Sequence, residues 1–147
     1  AVSELEVALP FSAPLRPGQL QEFDHSDLTA EFKQAWVSWM RRGNLPKALP
    51  MPMLLMRLSE ECAILATGHE LCNGYVPLLQ ALAGKTKLIV LGYTNDYRAY
   101  IPTRNILREG GYEGDLSLYV FLLPAKFRSS VETILLRACR RLLRLNS

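Results

Sequence analysis

Three short apolar runs, each bounded by turn-forming residues, constrain the fold of this chain more than any other feature. They cover residues 53–58, 62–67 and 87–93, and the last run reads KLIVLGY. Runs of this length with near-continuous hydrophobicity are typical of β-strands buried on both faces of a sheet. An earlier segment, 4–9, alternates polar and apolar residues, which predicts a strand with one wet face. We therefore expect a sheet built around the three apolar runs.

Helical periodicity marks the segments between and after these strands. Apolar residues recur at spacings of three and four in 27–42, in 73–83 and from residue 130 onward. Pro102 can begin a shorter helix that two glycines end after residue 109. Each of these segments is therefore predicted to pack as an amphipathic helix against the sheet.

Two further segments complete the prediction. Segment 45–52 holds three prolines and is interpreted as a connector, and the apolar segment 116–123 is interpreted as a further strand. Strands and helices then alternate along the chain. The predicted class is α/β, in a mixed α+β form, with a buried mixed sheet and flanking helices.

Charge and composition narrow the classes of partner. The chain has 147 residues and a formal net charge of +3, which fits about one domain and gives no indication of nucleic-acid binding. Much of the positive charge lies near the C-terminus, on Arg137, Arg140, Arg141 and Arg144. A basic helix of this kind is most often a solvated face that complements the helix dipole, and contact with phosphate or an anionic membrane surface is the alternative.

The cysteines and the first residues of the chain give little information on cellular compartment. Cys62, Cys72 and Cys139 show no metal-type spacing, and their odd number leaves the redox compartment open. No apolar run approaches the roughly 18 residues that cross a bilayer, and the first residues lack the order of a signal peptide. Because the sequence starts without methionine, a processed chain or a piece of a longer protein is expected.

Polar residues gather where two of the predicted strands end. Segment 67–70 reads TGHE and segment 93–100 reads YTNDYRAY. Ligands in open α/β sheets sit beyond the carboxyl ends of strands, so both segments are placed where a site can form, although ordinary strand-to-helix loops would look the same. The chain has two histidines, His25 and His69, and no complete catalytic motif. His69 alone is more typical of a hydrogen-bonded structural residue.

A longer stretch carries a resemblance. Residues 88–113, LIVLGYTNDYRAYIPTRNILREGGYE, resemble the neutral/alkaline (non-lysosomal) ceramidase family, in the C-terminal part of its catalytic domain. The shared features are a buried strand, the pattern G-x-x-N-x-Y-x-x-Y, a helix start and a Tyr-Glu close. Residues 62–75 resemble the preceding element, where a strand ends in a Pro-Gly-Glu turn. This chain has Gly-His-Glu at that turn, which keeps the glutamate and departs at the two residues before it.

The resemblance implies a zinc site and a substrate. In that family two histidines, one glutamate and one tyrosine hold Zn²⁺, which activates water to cleave the amide of N-acylsphingosine. The glutamate corresponds to Glu70. The tyrosine corresponds to Tyr100, which is then both a metal ligand and a catalytic residue, with Tyr97 as the alternative. The histidine ligands belong to the N-terminal half of the family's catalytic domain, which this chain lacks.

Two readings of function follow from this resemblance. The chain is either part of a zinc-dependent amidohydrolase or a non-catalytic ceramidase-like module for binding or interaction, and a plain interaction domain is a third alternative. Residues 1–147 then form a single domain or the C-terminal segment of a catalytic domain. The implied partners are a ceramide-like lipid and either the missing N-terminal half or a second copy of the chain. The resemblance alone suggests a secreted or exported parent protein.

Overall fold

The computed structural model describes residues 1–14 and 29–145. In chain order its elements are β1 (Val2–Pro10), α1 (Ala30–Arg41), β2 (Ala48–Arg57), β3 (Cys62–Thr67), β4 (Glu70–Leu71), α2 (Tyr75–Ala83), β5 (Lys87–Leu91), β6 (Tyr100–Ile101), α3 (Arg104–Glu109), a π-helical segment (Tyr112–Leu116), α4 (Ser117–Val120) and α5 (Ser130–Leu145). The predicted start of the first helix, at residues 27 and 28, lies outside the described residues.

Four strands form a mixed sheet in the order β1-β2-β3-β5. β1 pairs with β2 and β2 with β3 in antiparallel fashion, whereas β3 and β5 are parallel, with α2 as the crossover between them. β4 and β6 form a separate parallel pair just beyond the carboxyl ends of β3 and β5. The mixed α+β class with a mixed sheet and flanking helices is therefore confirmed.

One face of the sheet forms the hydrophobic core, and we call it the inner face. Its side chains come from alternate positions of neighbouring strands, such as Leu9, Met51, Leu55 and Leu65, all of which are fully buried. Helix α5 packs across this face, mainly against β1, and α2 packs beside α5 and β5. Because α5 is apolar along one side, with Leu135 fully buried there, helix and sheet exclude water from each other.

The opposite face of the sheet, which we call the outer face, is apolar on β2, β3 and β5, whereas β1 carries the exposed Glu4 and Glu6 there. Its members lie at the intervening positions: Leu54 and Ile64 are half-buried, and Met56, Ile89 and Leu91 are exposed. No described helix packs across them. The expectation that the apolar strands are buried on both faces is therefore met on the inner face alone, as far as residues 1–14 and 29–145 show.

The connector predicted for 45–52 was wrong over most of its length, because β2 begins at Ala48. Pro50 and Pro52 lie inside this strand. Their carbonyls face away from β1, one toward the ring of His69 and the other toward the amide of Gly68. This half of β2 extends past the end of β3, so a proline removes no amide that the sheet needs.

The strand predicted for 116–123 was also wrong. This segment continues the π-helical Tyr112–Leu116 into α4, with Ser117, Leu118 and Tyr119 buried in succession. A short apolar run that is buried all round carries no periodicity that separates a strand from a helix. The predicted strand at 87–93 ended two residues early, at Leu91, and that at 62–67 matches β3.

None of the helices in the described part of the chain is both long enough and apolar enough to cross a membrane.

Candidate functional site

The two polar segments meet beyond the carboxyl ends of β3 and β5. Glu70 lies opposite Tyr100 in the parallel β4–β6 pair, and the Glu70 amide donates to the carbonyl of Ala99 at 3.0 Å. The amide of His69 donates to the carbonyl of Asp96 at 2.9 Å. Backbone hydrogen bonds therefore fix the spacing between the segments before any side chain contributes.

Gly92 permits this close approach. A Cβ atom at this position would lie 3.2 Å from the carbonyl oxygen of His69 and 3.6 Å from the Cα of Glu70. Tyr93, the next residue, has a positive φ of 57°, which turns the chain away from β5. A side chain at 92 would therefore crowd the backbone of His69 next to Glu70.

Two phenols reach the carboxylate of Glu70. The hydroxyl of Tyr93 donates to its Oε2 atom in a short hydrogen bond. Burial raises the pKa of Tyr100 to about 12, and the negative charge of Glu70 and a hydrogen bond to it act in the same direction. Tyr100 therefore keeps its proton at neutral pH. The centre of the site is a carboxylate that accepts a hydrogen bond from Tyr93 and lies close to the phenol of Tyr100.

Aromatic rings surround this carboxylate. Tyr97 packs against Tyr93 and Phe121, with ring centroids 5.0 and 5.1 Å apart, and Tyr100 contacts Tyr112 and Phe121 at 5.6 and 5.9 Å. We call these five residues the aromatic cluster. Tyr93 and Tyr97 are 50% and 52% exposed, so solvent reaches the cluster directly. A carboxylate beside accessible aromatic faces suits a cation or the polar end of an amphipathic molecule.

His69 precedes Glu70, and its side chain is buried in hydrogen bonds instead of facing the site. Its ring is fully buried, with Nε2 3.0 Å from the carbonyl of Pro50 and Nδ1 accepting the amide of Arg98 at 3.3 Å. The neutral tautomer with a proton on Nε2 satisfies both contacts. Burial lowers the pKa of His69, which outweighs the opposing effects of the Pro50 carbonyl and Asp96. His69 is thus a hydrogen-bonded structural residue that ties β2 to the loop.

Asp96 and Arg98 hold the outer side of the same loop. The Nε atom of Arg98 lies 3.0 Å from both carboxylate oxygens of Asp96. The hydrogen bonds from Arg98 lower the pKa of Asp96 below its ordinary value. This pair gives the loop between Tyr93 and Tyr100 a charged clamp independent of the aromatic cluster.

The described residues can be tested against the needs of a zinc site. Carboxylate and phenol oxygens can bind Zn²⁺, which normally takes three or four protein ligands. Among residues 1–14 and 29–145, no group of three or more histidines, cysteines, aspartates or glutamates is close enough to hold a metal ion. All three cysteines are free, and burial raises the pKa of Cys72 to about 12, so this neighbour of Glu70 stays a thiol. Glu70 and Tyr100 together offer fewer oxygen atoms than the three or four protein ligands of a zinc site.

The structure brings the predicted residues Glu70 and Tyr100 together, and it places Tyr97 in the surrounding cluster. Sequence reasoning assigned no role to three other members: Tyr93, Tyr112 and Phe121. Tyr93 and Tyr112 both fall inside the stretch that carries the family resemblance, which was the available signal. Phe121 reaches the cluster only because its segment is helical, and the strand predicted there concealed this contact.

Comparison with known proteins yields little. No family model matches the chain, and no curated protein matches it. Among solved structures, the chain is similar to neutral ceramidase from Pseudomonas aeruginosa, with 15% sequence identity and a TM-score of 0.49. The alignment covers 97% of this chain and 28% of that one, so the chain spans little more than a quarter of that protein's length. At this identity and TM-score the similarity assigns neither a family nor a function.

Proposed function

We propose that this chain supplies the glutamate and tyrosine side of the metal site in a zinc-dependent amidohydrolase of the neutral ceramidase type. The reaction is hydrolysis of the N-acyl amide of a ceramide-like lipid. The observation that supports the proposal best is the register of β4 and β6, which sets Glu70 opposite Tyr100. These residues come from two loops, and they are the glutamate and the tyrosine that the resemblance of residues 88–113 and 62–75 singles out.

In this proposal Glu70 and Tyr100 bind the metal and Tyr93 orients the carboxylate through its hydrogen bond. Bound Zn²⁺ would lower the pKa of its water toward about 7 and polarise the amide carbonyl. The aromatic cluster supplies an apolar surface beside the carboxylate. This surface suits the part of a lipid's hydrocarbon chain that lies nearest the amide. The buried His69 is occupied by its own hydrogen bonds, so the imidazole ligands come from outside the described residues.

The turn before Glu70 adds support. His69 has a φ of 54°, a left-handed conformation that glycine adopts without strain. In the Pro-Gly-Glu turn that this segment resembles, glycine precedes the glutamate. The chain therefore keeps a glycine-type backbone at this point while its side chain has changed.

The second candidate is a non-catalytic module with the same fold. Two observations favour it: the incomplete ligand set in the described residues, and a histidine that has taken a structural role in the turn. In that case the aromatic cluster binds a ligand around Glu70 and no reaction follows.

The test uses the full-length protein that carries this chain. Glu70→Gln keeps the size of the side chain and removes its charge, and Glu113→Gln makes the same change at an exposed position nearby. We expect Glu70→Gln to lose at least about tenfold in bound zinc and in hydrolysis of N-acylsphingosine, with an unchanged circular dichroism spectrum. Glu113→Gln should retain both. Full zinc content and activity in Glu70→Gln would refute the metal assignment.

The isolated 147-residue chain gives a second measurement. With two oxygen ligands and no free imidazole among its described residues, we expect no zinc-dependent hydrolysis of N-acylsphingosine by it. Turnover that a chelator abolishes and Zn²⁺ restores would show that the chain holds a complete site. A full-length protein that binds no zinc and hydrolyses no amide would leave the non-catalytic module as the function.

A further inference from the structure

A second polar cavity lies at the amino-terminal end of β5, away from the aromatic cluster. It has a volume of about 320 Å³, at the lower end of the range for ligand sites. Three arginines line it: Arg57 from the end of β2, and Arg140 and Arg144 from the last turns of α5. Leu82 and Leu143 contribute its apolar wall. No acidic side chain is among the described residues that line this cavity, which we call the arginine cavity.

Arg57 distinguishes this cavity from an ordinary basic surface. Its Nε atom is buried, and it has no hydrogen-bond partner within the described part of the chain. Backbone hydrogen bonds with Ala1 fix the main chain of Arg57 at the strand end. A buried charged donor without an acceptor is destabilising, and an anion bound against Arg57 would supply the missing acceptor.

The net charge around the cavity also favours an anion. The C-terminal ends of α2 and α5 both lie near the cavity, and each carries roughly half a negative charge from its helix dipole. Three guanidinium groups exceed these two partial charges by about two units. The arginines therefore do more than neutralise the helix ends. Thr86, also in the lining, already donates its hydroxyl to the carbonyl of Glu60, so the donors for an anion are the arginines.

We propose that the arginine cavity binds a phosphate-type oxyanion, either free or as the head group of a lipid. Guanidinium groups donate paired N–H bonds to the oxygens of a phosphate, and three of them from two elements can surround one tetrahedral anion. Arg57 binds from the sheet side, with Arg140 and Arg144 from the helix side. Binding would join the end of β2 to the end of α5 through the ligand.

This site is independent of the proposed zinc site. The cavity lies where β5 begins at Lys87, and the aromatic cluster lies beyond Leu91, where β5 ends. Five residues of extended strand, about 17 Å, separate the two. A change at Glu70 should therefore leave anion binding intact, and the two proposals can fail separately.

The experiment is calorimetric titration of the 147-residue chain with inorganic phosphate at constant ionic strength. We expect saturable binding at one site. The pair Arg140→Gln with Arg144→Gln should weaken it at least about tenfold, since each change removes charge-assisted hydrogen bonds. The matched pair is Arg137→Gln with Arg141→Gln, on the same helix with the same loss of charge but outside the cavity. It should weaken binding less than about twofold.

Arg57 and Glu70 provide two further variants. Arg57→Lys keeps the charge and loses the planar fork, so phosphate should bind more weakly than in the unchanged chain. Glu70→Gln should bind phosphate normally. Because Arg140 and Arg144 are exposed, their variants remain informative even if a change at Arg57 prevents folding.

Vesicles separate the two sources of the ligand. Phosphatidylcholine vesicles with and without phosphatidic acid are sedimented with the chain. Sedimentation that requires phosphatidic acid, and that inorganic phosphate reverses, identifies a lipid head group. Phosphate binding in calorimetry without vesicle binding identifies a soluble phosphate. The proposal is overturned if neither phosphate nor vesicles bind, or if the two arginine pairs weaken binding equally.

Discussion

Across β2, β3 and β5, the two faces of the sheet have similar side chains and different surroundings. On the inner face, Leu55 and Leu65 are fully buried under α5. On the outer face, Leu54 and Ile64 are half-buried, while Leu91 is 45% exposed. Both sets are aliphatic, and they alternate along the same strands. In this chain an apolar run therefore predicts a strand of the sheet. It does not predict whether one or both faces of that strand are buried.

The exposed apolar residues of the outer face are typical of a surface that packs against another part of a protein. Contiguous exposed apolar patches are uncommon on monomeric soluble proteins and mark interaction sites or aggregation-prone surfaces. This agrees with the proposal that the chain works as part of a larger catalytic unit, in which a further layer of structure would lie on this face. The contrast between the two faces should appear in stability and in self-association.

The largest expected effect is on stability. Leu55→Ala should lower the free energy of unfolding by about 2–5 kcal/mol, because it opens a cavity in the packed inner face. Leu54→Ala changes the same residue type one position earlier on the same strand. It should cost less than about 1.5 kcal/mol, because Leu54 is half-buried and its site can fill with solvent. Urea unfolding of both variants measures the difference, and equal losses would show that the outer face is as tightly packed as the inner one.

The second prediction compares two tyrosines of the site, Tyr100 and Tyr97. Tyr100 lies opposite Glu70 and close to it, whereas Tyr97 is 52% exposed and contacts other rings. In the full-length enzyme of the proposed function, Tyr100→Phe should lower kcat by about 100- to 1000-fold, equivalent to roughly 2.7–4 kcal/mol for a lost oxyanion donor. Tyr97→Phe should change kcat less than about threefold.

The readouts are kcat and bound zinc for each tyrosine variant. A crippled Tyr97→Phe beside an active Tyr100→Phe would reverse the assignment. If neither variant changes kcat or zinc content, neither Tyr97 nor Tyr100 takes part in the reaction.

Much of the fold could be predicted because the local pattern of side chains identifies individual strands and helices. Strand β3 and helix α5 are marked by their own side chains, through a continuous apolar run and a helical period. Where the prediction failed, the deciding contact came from elsewhere in the chain. Pro50 is tolerated inside β2 because β3 has already ended, and helix α4 is buried all round, which removes the periodic signal.

The candidate site was predictable in part for a similar reason. Its strand-end position and its glutamate and tyrosine follow from local sequence and from the family resemblance. The roles of Tyr93 and Phe121 depend on where two loops and a helix meet in space. The arginine cavity is a stronger case, because Arg57 and Arg140 come together only after β2 and α5 pack. The basic helix alone looked like a solvated face.

The third prediction concerns self-association through the outer face. Ile89 and Leu91 are 40% and 45% exposed on edge strand β5, and a second apolar surface would exclude water from them. We expect the isolated chain to self-associate and to bind a hydrophobic dye. Ile89→Ser with Leu91→Ser should weaken both by about tenfold, as measured by sedimentation velocity and dye fluorescence.

The matched control for this prediction lies on α2. Val76 and Leu78 are 47% and 37% exposed, so Val76→Ser with Leu78→Ser removes a similar apolar area away from the outer face. Association should persist in this control. A chain that stays monomeric and binds no dye at any concentration would show that the outer face needs no cover, which favours a self-sufficient module.

The smallest effect is on the pH dependence of stability, and it arises at His69. Burial lowers the pKa of His69 in the folded chain below its ordinary value of 6.5, so the unfolded chain binds the proton more readily. Stability should therefore fall as the pH drops below about 6.5, by up to about 1.4 kcal/mol between pH 7.5 and 5.5. Asp96 and Arg98 are the charged neighbours, and both keep their charge across this window because the pKa of Asp96 is lowered and that of Arg98 is raised.

His69→Gln isolates this contribution. Glutamine can still donate to the carbonyl of Pro50 but does not titrate, so the loss of stability between pH 7.5 and 5.5 should shrink by the histidine's share. Denaturant unfolding of both proteins at several pH values measures the difference. If His69→Gln shows the same loss as the unmodified chain, His69 is not held neutral by burial, and its ring is open to solvent or to a metal.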